Sequence, residues 1–298
     1  MKKKRKVGMG QYILTAVMGL YALICLAPIL LIVIVSFSSD ESIKNKGFSF
    51  VPESWSLKAW EYVLDYGKQL IVSYGVTIYV TVMGTLLGLV VMAMFAYALS
   101  RSTFMLRKQL SMMMLFTMLF SGGQLATYMV ETTMYGLKDS LWALILPAIT
   151  TMDIIIMRTY IQGTITESLV ESAKIDGAGE FRTFWQIVFP LMKPTLAAVG
   201  FRLAVTKWND WQKAYLYIDS ADKTPLQLLL IRIEKNIDFM LNNAGDLSAV
   251  EYAELSQNMP QESGRMAILL TALGPIMIAY PFFQKYFVKG LTVGAVKG

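Results

Sequence analysis

Histidine is absent from the 298 residues, and cysteine occurs once, as Cys25. The first absence removes His-based catalytic triads and His metal sites together. The second rules out an intramolecular disulfide. Cys25 lies in an apolar block, where a lone thiol acts by default as a small hydrophobe. Charge is scarce too: 16% of residues are Asp, Glu, Lys or Arg, against about 25% in a soluble domain. Only nine prolines occur and low-complexity tracts are lacking, so disorder does not fit. Also missing is any Gly-x-x-x-x-Gly-Lys-Ser/Thr phosphate loop, so a nucleotide site would have to lie on another chain.

What is abundant is apolar sequence, 55% of the chain. It falls in blocks of about 20 residues or more, the length of a helix crossing ~30 Å of hydrocarbon. Six spans are predicted, over 12–37, 71–99, 110–128, 141–161, 191–218 and 266–288. The charges between them set an orientation. Lys2, Lys3, Lys4, Arg5 and Lys6 precede the first span, Arg101, Arg107 and Lys108 fill the second connection, and Lys289 and Lys297 end the chain. These segments belong in the cytoplasm by the positive-inside rule, together with both termini. The connections 40–68 and 219–265 hold five acids against four bases and eight against four, and belong outside.

The run 2–6 resembles a nuclear localisation signal, but directly before an apolar span the basic start, residues 1–11, reads as a cytoplasmic anchor. A cleaved signal peptide fits poorly, because the apolar segment is too long and no small-residue cleavage pattern follows. The net charge of +6 is dispersed among the spans, which argues for topology and against nucleic acid. In the first outer connection Trp55, Trp60 and Tyr62 could anchor at the interface or cover a pore mouth. The 219–265 connection contains a helical stretch, 226–237, and a polar one, 242–261, and suggests a folded outer element.

The connection 162–190 is unlike a short basic loop. A helix is expected over 167–175, with Thr164 as N-cap, Glu167 three residues on closing a capping box, and Ile165, Leu169 and Val170 on one side. Asp176 and Gly177 break it in a turn. A second helix follows over 181–188, and Pro190 opens the next span. A helix–turn–helix on the cytoplasmic face is a docking surface for another protein.

Here the text Glu171-Ser172-Ala173, then Gly177, then Ile187-Val188-Phe189-Pro190 resembles a motif of binding-protein-dependent ABC importer permeases: Glu-Ala-Ala, three residues, Gly, nine residues, Ile-x-Leu-Pro. Ser172 and Phe189 are mild departures. Phe120-Ser121-Gly122-Gly123, the run 141–147, Trp208-Asn209-Asp210 and the run 280–290 are similar to the carbohydrate branch. They resemble its smaller, maltose-importer-like permeases, and more narrowly those for alginate or pectin fragments. The resemblance implies an all-α integral membrane protein of the type I importer fold, in a bacterial cytoplasmic membrane. Glu171, Ser172, Ala173, Asp176 and Gly177 would lie in or after a coupling helix, with Ile187 and Pro190 completing the loop. The implied partners are a second, non-identical permease, two ATPase subunits that hold ATP and Mg, and an extracytoplasmic solute-binding protein. The chain itself would bind no cofactor and would not be an enzyme.

The fifth span carries the second candidate site. At 100° per residue Arg202, Thr206, Asn209 and Lys213 fall within about 60° of one another, and Lys207 and Asp210 widen the stripe at a spacing that permits pairing. With Trp208 and Trp211 nearby, the stripe suits an oligosaccharide: amides and charges for hydroxyls, indoles for ring faces. Arg202 and Lys207 would suit a uronate. Equally, they could pair with acids on a partner permease or snorkel to an interface. Asp153 and Arg158, five apart in the fourth span, need not touch and suggest structural roles. Met112–Met114 and Met118 read as flexible packing rather than a metal path. Two other functions stay open: an importer of peptides or other small solutes on the same fold, and a stand-alone channel or membrane enzyme. Against the last stands the lack of clustered catalytic groups in the spans.

Overall fold

The computed structural model describes residues 9–146, 149–242 and 260–295, and the described residues form helices joined by turns and loops. The basic residues 2–6, Lys297 and most of the polar stretch 242–261 lie outside them. The chain divides into two compact units, 1–67 with 232–274, and 68–231 with 275–298.

In the first unit α1 (Met9–Ser36) is apolar on every side, and its most hydrophobic 18-residue window buries nothing. Leu20, Leu23, Ile24 and Leu30 are all exposed, as is Cys25. A rod of this kind needs lipid or another protein around it. Two short helices follow, α2 (Asp40–Lys46) and α3 (Lys58–Asp65). Ser39 caps α2 by accepting from Ser42 N at 3.1 Å. Trp60 stacks on Phe37 at 5.5 Å, so this indole is committed to its own unit, whereas Trp55 is exposed. Asp40 accepts from Gln261 N at 2.8 Å and from Ser263 N at 3.0 Å. One carboxylate thereby satisfies two backbone donors where α15 (Glu262–Ala295) begins. Arg265 joins Asp238 at 2.6 Å and Glu262 at 2.8 Å.

The second unit is organised on α4 (Gly67–Ser100), whose 34 residues span about 50 Å. The expected third span is bent by 117° between α5 (Arg107–Leu119) and α6 (Gly123–Met129), which runs on through a π-turn, Val130–Met134. The fourth comprises α7 (Leu141–Ile145) and α8 (Thr151–Thr164). The 162–190 loop holds α9 (Glu167–Ile175), α10 (Glu180–Thr183), a π-turn Phe184–Val188 and α11 (Phe189–Leu191). The fifth divides into α12 (Lys193–Trp208) and α13 (Trp211–Tyr217), followed by α14 (Leu226–Asn242). Among the described residues α1 and α4 are single helices long and apolar enough to cross a membrane, and counting two bent pairs as spans gives four.

Two apolar clusters hold this unit. One joins Met92, Ala96 and Leu99 of α4 to Met157 and Ile161 of α8, Leu203 of α12, and Val170, Phe184 and Val188 of the loop. The other joins Val76 and Val80 to Leu144, Ile145, Ala214, Ile218 and Leu228. Gly200 lets α12 approach α4 closely, since a Cβ there would lie 2.9 Å from Leu89 Cδ1.

Asp40→Ala leaves Gln261 N and Ser263 N without their acceptor at the start of α15, and loss of such a cap costs about 1 kcal/mol. The expected result is a lower thermal midpoint in detergent, with Asp40→Asn in between; a midpoint equal to wild type would show that the contact contributes nothing.

Candidate functional site

Two places bring the sequence-predicted residues together. In the loop, the start of α9 differs from expectation. Thr164 is the last residue of α8, and Thr166 occupies the N-cap of α9, its Oγ1 accepting from Ser168 Oγ at 3.2 Å and from no backbone N–H of the helix. Glu167 does not close a capping box either; its Oε1 accepts from Ser102 Oγ at 2.6 Å. A hydroxyl across the fold thus takes the carboxylate that local spacing had assigned to the helix start. Val170 and Ala173 point into the unit, while Leu169, Glu171, Ser172 and Ile175 face outward.

The end of α9 has the expected turn. Ala178 N donates to Ala173 O at 2.9 Å and Gly177 N to Lys174 O at 3.0 Å, with Gly177 at φ 79°. This paired 6→1 and 5→2 arrangement is a Schellman cap, which glycine enters without a Cβ penalty. Asp176 is its C-cap residue. Beyond it, Lys174 pairs with Glu180, which also accepts from Tyr97 Oη at 2.6 Å. Two side-chain bonds, Tyr97–Glu180 and Ser102–Glu167, therefore tie the loop to α4 and the turn after it. Phe181, Trp185 and Phe189 form an aromatic run at 6.1 and 4.9 Å. Ile187 is half-buried and Pro190 exposed. Pro190 lies in α11, before a 78° bend, rather than opening the span; the helix restarts at Lys193 with Pro194 in its first turn.

The outer surface of the loop pairs apolar with charged groups. Ile175 is 86% and Phe181 68% exposed, beside the exposed Glu171. Phe181 and Glu180 also border a cleft of about 450 Å³ with Tyr97, Arg101 and Phe104.

The second place is the α12–α13 region, where the expected polar stripe is resolved into separate contacts. Asp153 is completely buried, and Arg202, 50% exposed, grips it with Nε at 3.1 Å and with Nη2. Thr150 Oγ1 donates to the same carboxylate. Asp153 was read as structural, but its partner Arg202 is 49 residues away and invisible to local spacing. Arg158 reaches Ser111 instead, at 3.5 Å. Lys207 is buried, crosses the face of Gly84 and donates to Leu144 O near the end of α7. Thr206 bonds back to Arg202 O and Asn209 to Val205 O.

The stripe does not run on, because the helix breaks after Trp208. Asp210 becomes the N-cap of α13, accepting from Lys213 N at 3.2 Å. Lys213 pairs with Glu131 at 3.0 Å and lies 5.1 Å from the centre of the Tyr217 ring. Glu131 had carried no sequence-level signal beyond being an acid near an expected span. Trp208 is buried and Trp211 exposed. Nearby, Asp139 takes φ 51° and gathers Asp219 N, Ser220 N and Lys223 Nζ at 2.9–3.0 Å. Hydrogen bonds from Ser220, then Lys223 and Asp219, hold its carboxyl well below the usual range. Among the described residues no group of three or more His, Cys, Asp or Glu could hold a metal ion.

Removing Arg202 leaves a dry carboxylate, so Arg202→Ala is expected to destabilise the chain by about 3 kcal/mol. Arg202→Gln with Asp153→Asn should recover most of the loss in a thermal unfolding scan; no recovery would mean that the two do not act as a pair. Glu180 is held below the usual carboxylate range by Lys174, then Tyr97. Its stabilising contribution is therefore present above the ordinary carboxylate pKa and lost as pH falls through the lowered one. The stability gap between wild type and Glu180→Gln should close on acidification, and a pH-independent gap would contradict the assignment.

No family model matches the chain. It is 38% identical over 283 residues to the polygalacturonan/rhamnogalacturonan transport system permease protein YtcP of Bacillus subtilis (strain 168), covering 94% of this chain and 95% of that one. Protein LplC of the same organism is 37% identical over 277 residues, 92% and 90% of the two chains. Among solved structures, a bacterial ABC transporter involved in the import of the acidic polysaccharide alginate matches with a TM-score of 0.77 and 28% identity, over 95% of this chain and all of that one. Similarity of this extent is decisive: the chain belongs to the permease subunits of sugar ABC transporters, and is a membrane transport subunit rather than an enzyme.

Proposed function

We propose that this permease imports oligosaccharide across a bacterial cytoplasmic membrane, with six crossings and both termini inside. It does so beside a second, non-identical permease, two ATPase subunits and an extracytoplasmic solute-binding protein. ATP and Mg²⁺ belong to the ATPases. The substrates for which the relatives are named, polygalacturonan and rhamnogalacturonan for one and alginate for another, support a carbohydrate over a peptide.

The observation that carries the coupling role is the loop itself. Glu171, Ser172 and Ile175 are presented outward on α9, while Val170 and Phe184 are packed into the same cluster as α4, α8 and α12. A helix so anchored cannot be dragged without dragging the spans. Closure of the ATPases would then move α9, and through Tyr97–Glu180 and Ser102–Glu167 it would move α4. Interiors transmit such displacement because they are close-packed. Gly177 and Asp176 fix the exit of the chain from α9, and Ala173 fixes its depth.

Glu171→Lys alters only an exposed charge and is expected to abolish substrate-stimulated ATP hydrolysis while the chain still inserts. Tyr97→Phe should keep the ATPase bound yet lower transport per ATP, about threefold if one hydrogen bond is lost. Normal stimulated hydrolysis in Glu171→Lys, or the chain purifying active with no ATPase, would overturn the coupling role.

A further inference from the structure

A polar groove of about 340 Å³ lies where two helix breaks meet, within the range of small-molecule sites. One wall is the α5–α6 break, with Ser121, Gly123, Gln124 and Thr127. The other is α13 with its N-cap: Asp210, Gln212, Lys213 and, at the far end, Tyr217. Helices interrupted at membrane depth leave backbone groups unpaired, which hydrocarbon tolerates only where they line a cavity or are buried in protein. The two breaks facing one groove therefore point to a wet path.

Its chemistry is specific. Gln124 and Gln212 are exposed amides, each with donors and an acceptor, and sugar hydroxyls likewise donate and accept. The charges are already matched. The Lys213 ammonium is 3.2 and 3.0 Å from the two Glu131 oxygens, and Asp210 is engaged as the α13 cap. The other cations of this region are likewise engaged, Arg202 by Asp153 and Lys207 by Leu144 O. A carboxylate entering here would have to displace Glu131 from Lys213.

We infer that this groove is a charge-neutral, hydroxyl-binding subsite of the sugar path, and that this chain's wall reads sugar hydroxyls without discriminating acidic from neutral units. The inference rests on the proposed oligosaccharide function. Selection for acidity, where the whole importer shows it, comes from elsewhere in the complex.

The test uses the assembled importer in proteoliposomes, with labelled galacturonate oligomers and labelled neutral galactose oligomers as probes. Gln124→Ala with Gln212→Ala removes two amide partners from exposed positions. It should raise KM about tenfold for whichever probes the wild type carries, and equally if it carries both. Glu131→Gln frees the Lys213 charge and should shift uptake towards the galacturonate probe. An unchanged KM in the double variant overturns the subsite, and so does a loss confined to galacturonate when the wild type carries both probes. If the wild-type complex carries neither probe, nor alginate, arabinose or maltodextrin oligomers offered in the same assay, the oligosaccharide reading itself falls, and this inference with it.

Discussion

A buried charge has to find its counter-charge inside the protein, and here Asp153 finds it in Arg202. The carboxylate is fully buried at the start of α8 and the guanidinium comes from the middle of α12, so one bidentate contact fixes two helices against each other. The same requirement shapes what surrounds it. Lys207 reaches a backbone carbonyl by running across Gly84, and Lys213 meets Glu131 from the far side of the α5–α6 break. The sequence left Arg202 and Lys207 either to an anionic sugar or to acids of a partner permease and an interface; within this chain Arg202 meets Asp153 and Lys207 a backbone carbonyl.

The loop is the other half of the machine. Its outward face is a helix of nine residues, but its inward face is part of the main core. Phe184 touches Tyr97 at 5.6 Å, and the π-turn beginning there keeps the aromatic run against the spans. π-turns inside helices are uncommon and concentrate at functional positions. Rigid packing below and exposed Glu171, Ser172 and Ile175 above are consistent with the proposed transfer of force between subunits.

Much of this was legible in the residues. The length of the apolar blocks gave the rods α1 and α4, because a bilayer of fixed thickness demands about 20 apolar residues. Glycine at 177 gave the Schellman turn, because a left-handed backbone favours it. What failed did so for definite reasons. Thr164 and Glu167 have capping-box spacing, yet Ser102 takes the glutamate. The 202–213 stripe assumed one continuous helix, and Asp210 ends it by capping the next.

Local pattern therefore determined the membrane class, the helix-rich architecture and the helix–turn–helix of the loop, since hydrophobic length, helical period and glycine conformation are properties of neighbouring residues. Only the tertiary structure decided which charges cancel and where the breaks face each other. Arg202 and Asp153, 49 residues apart, and Lys213 and Glu131, 82 apart, are brought together by packing of whole helices, and no periodicity records it.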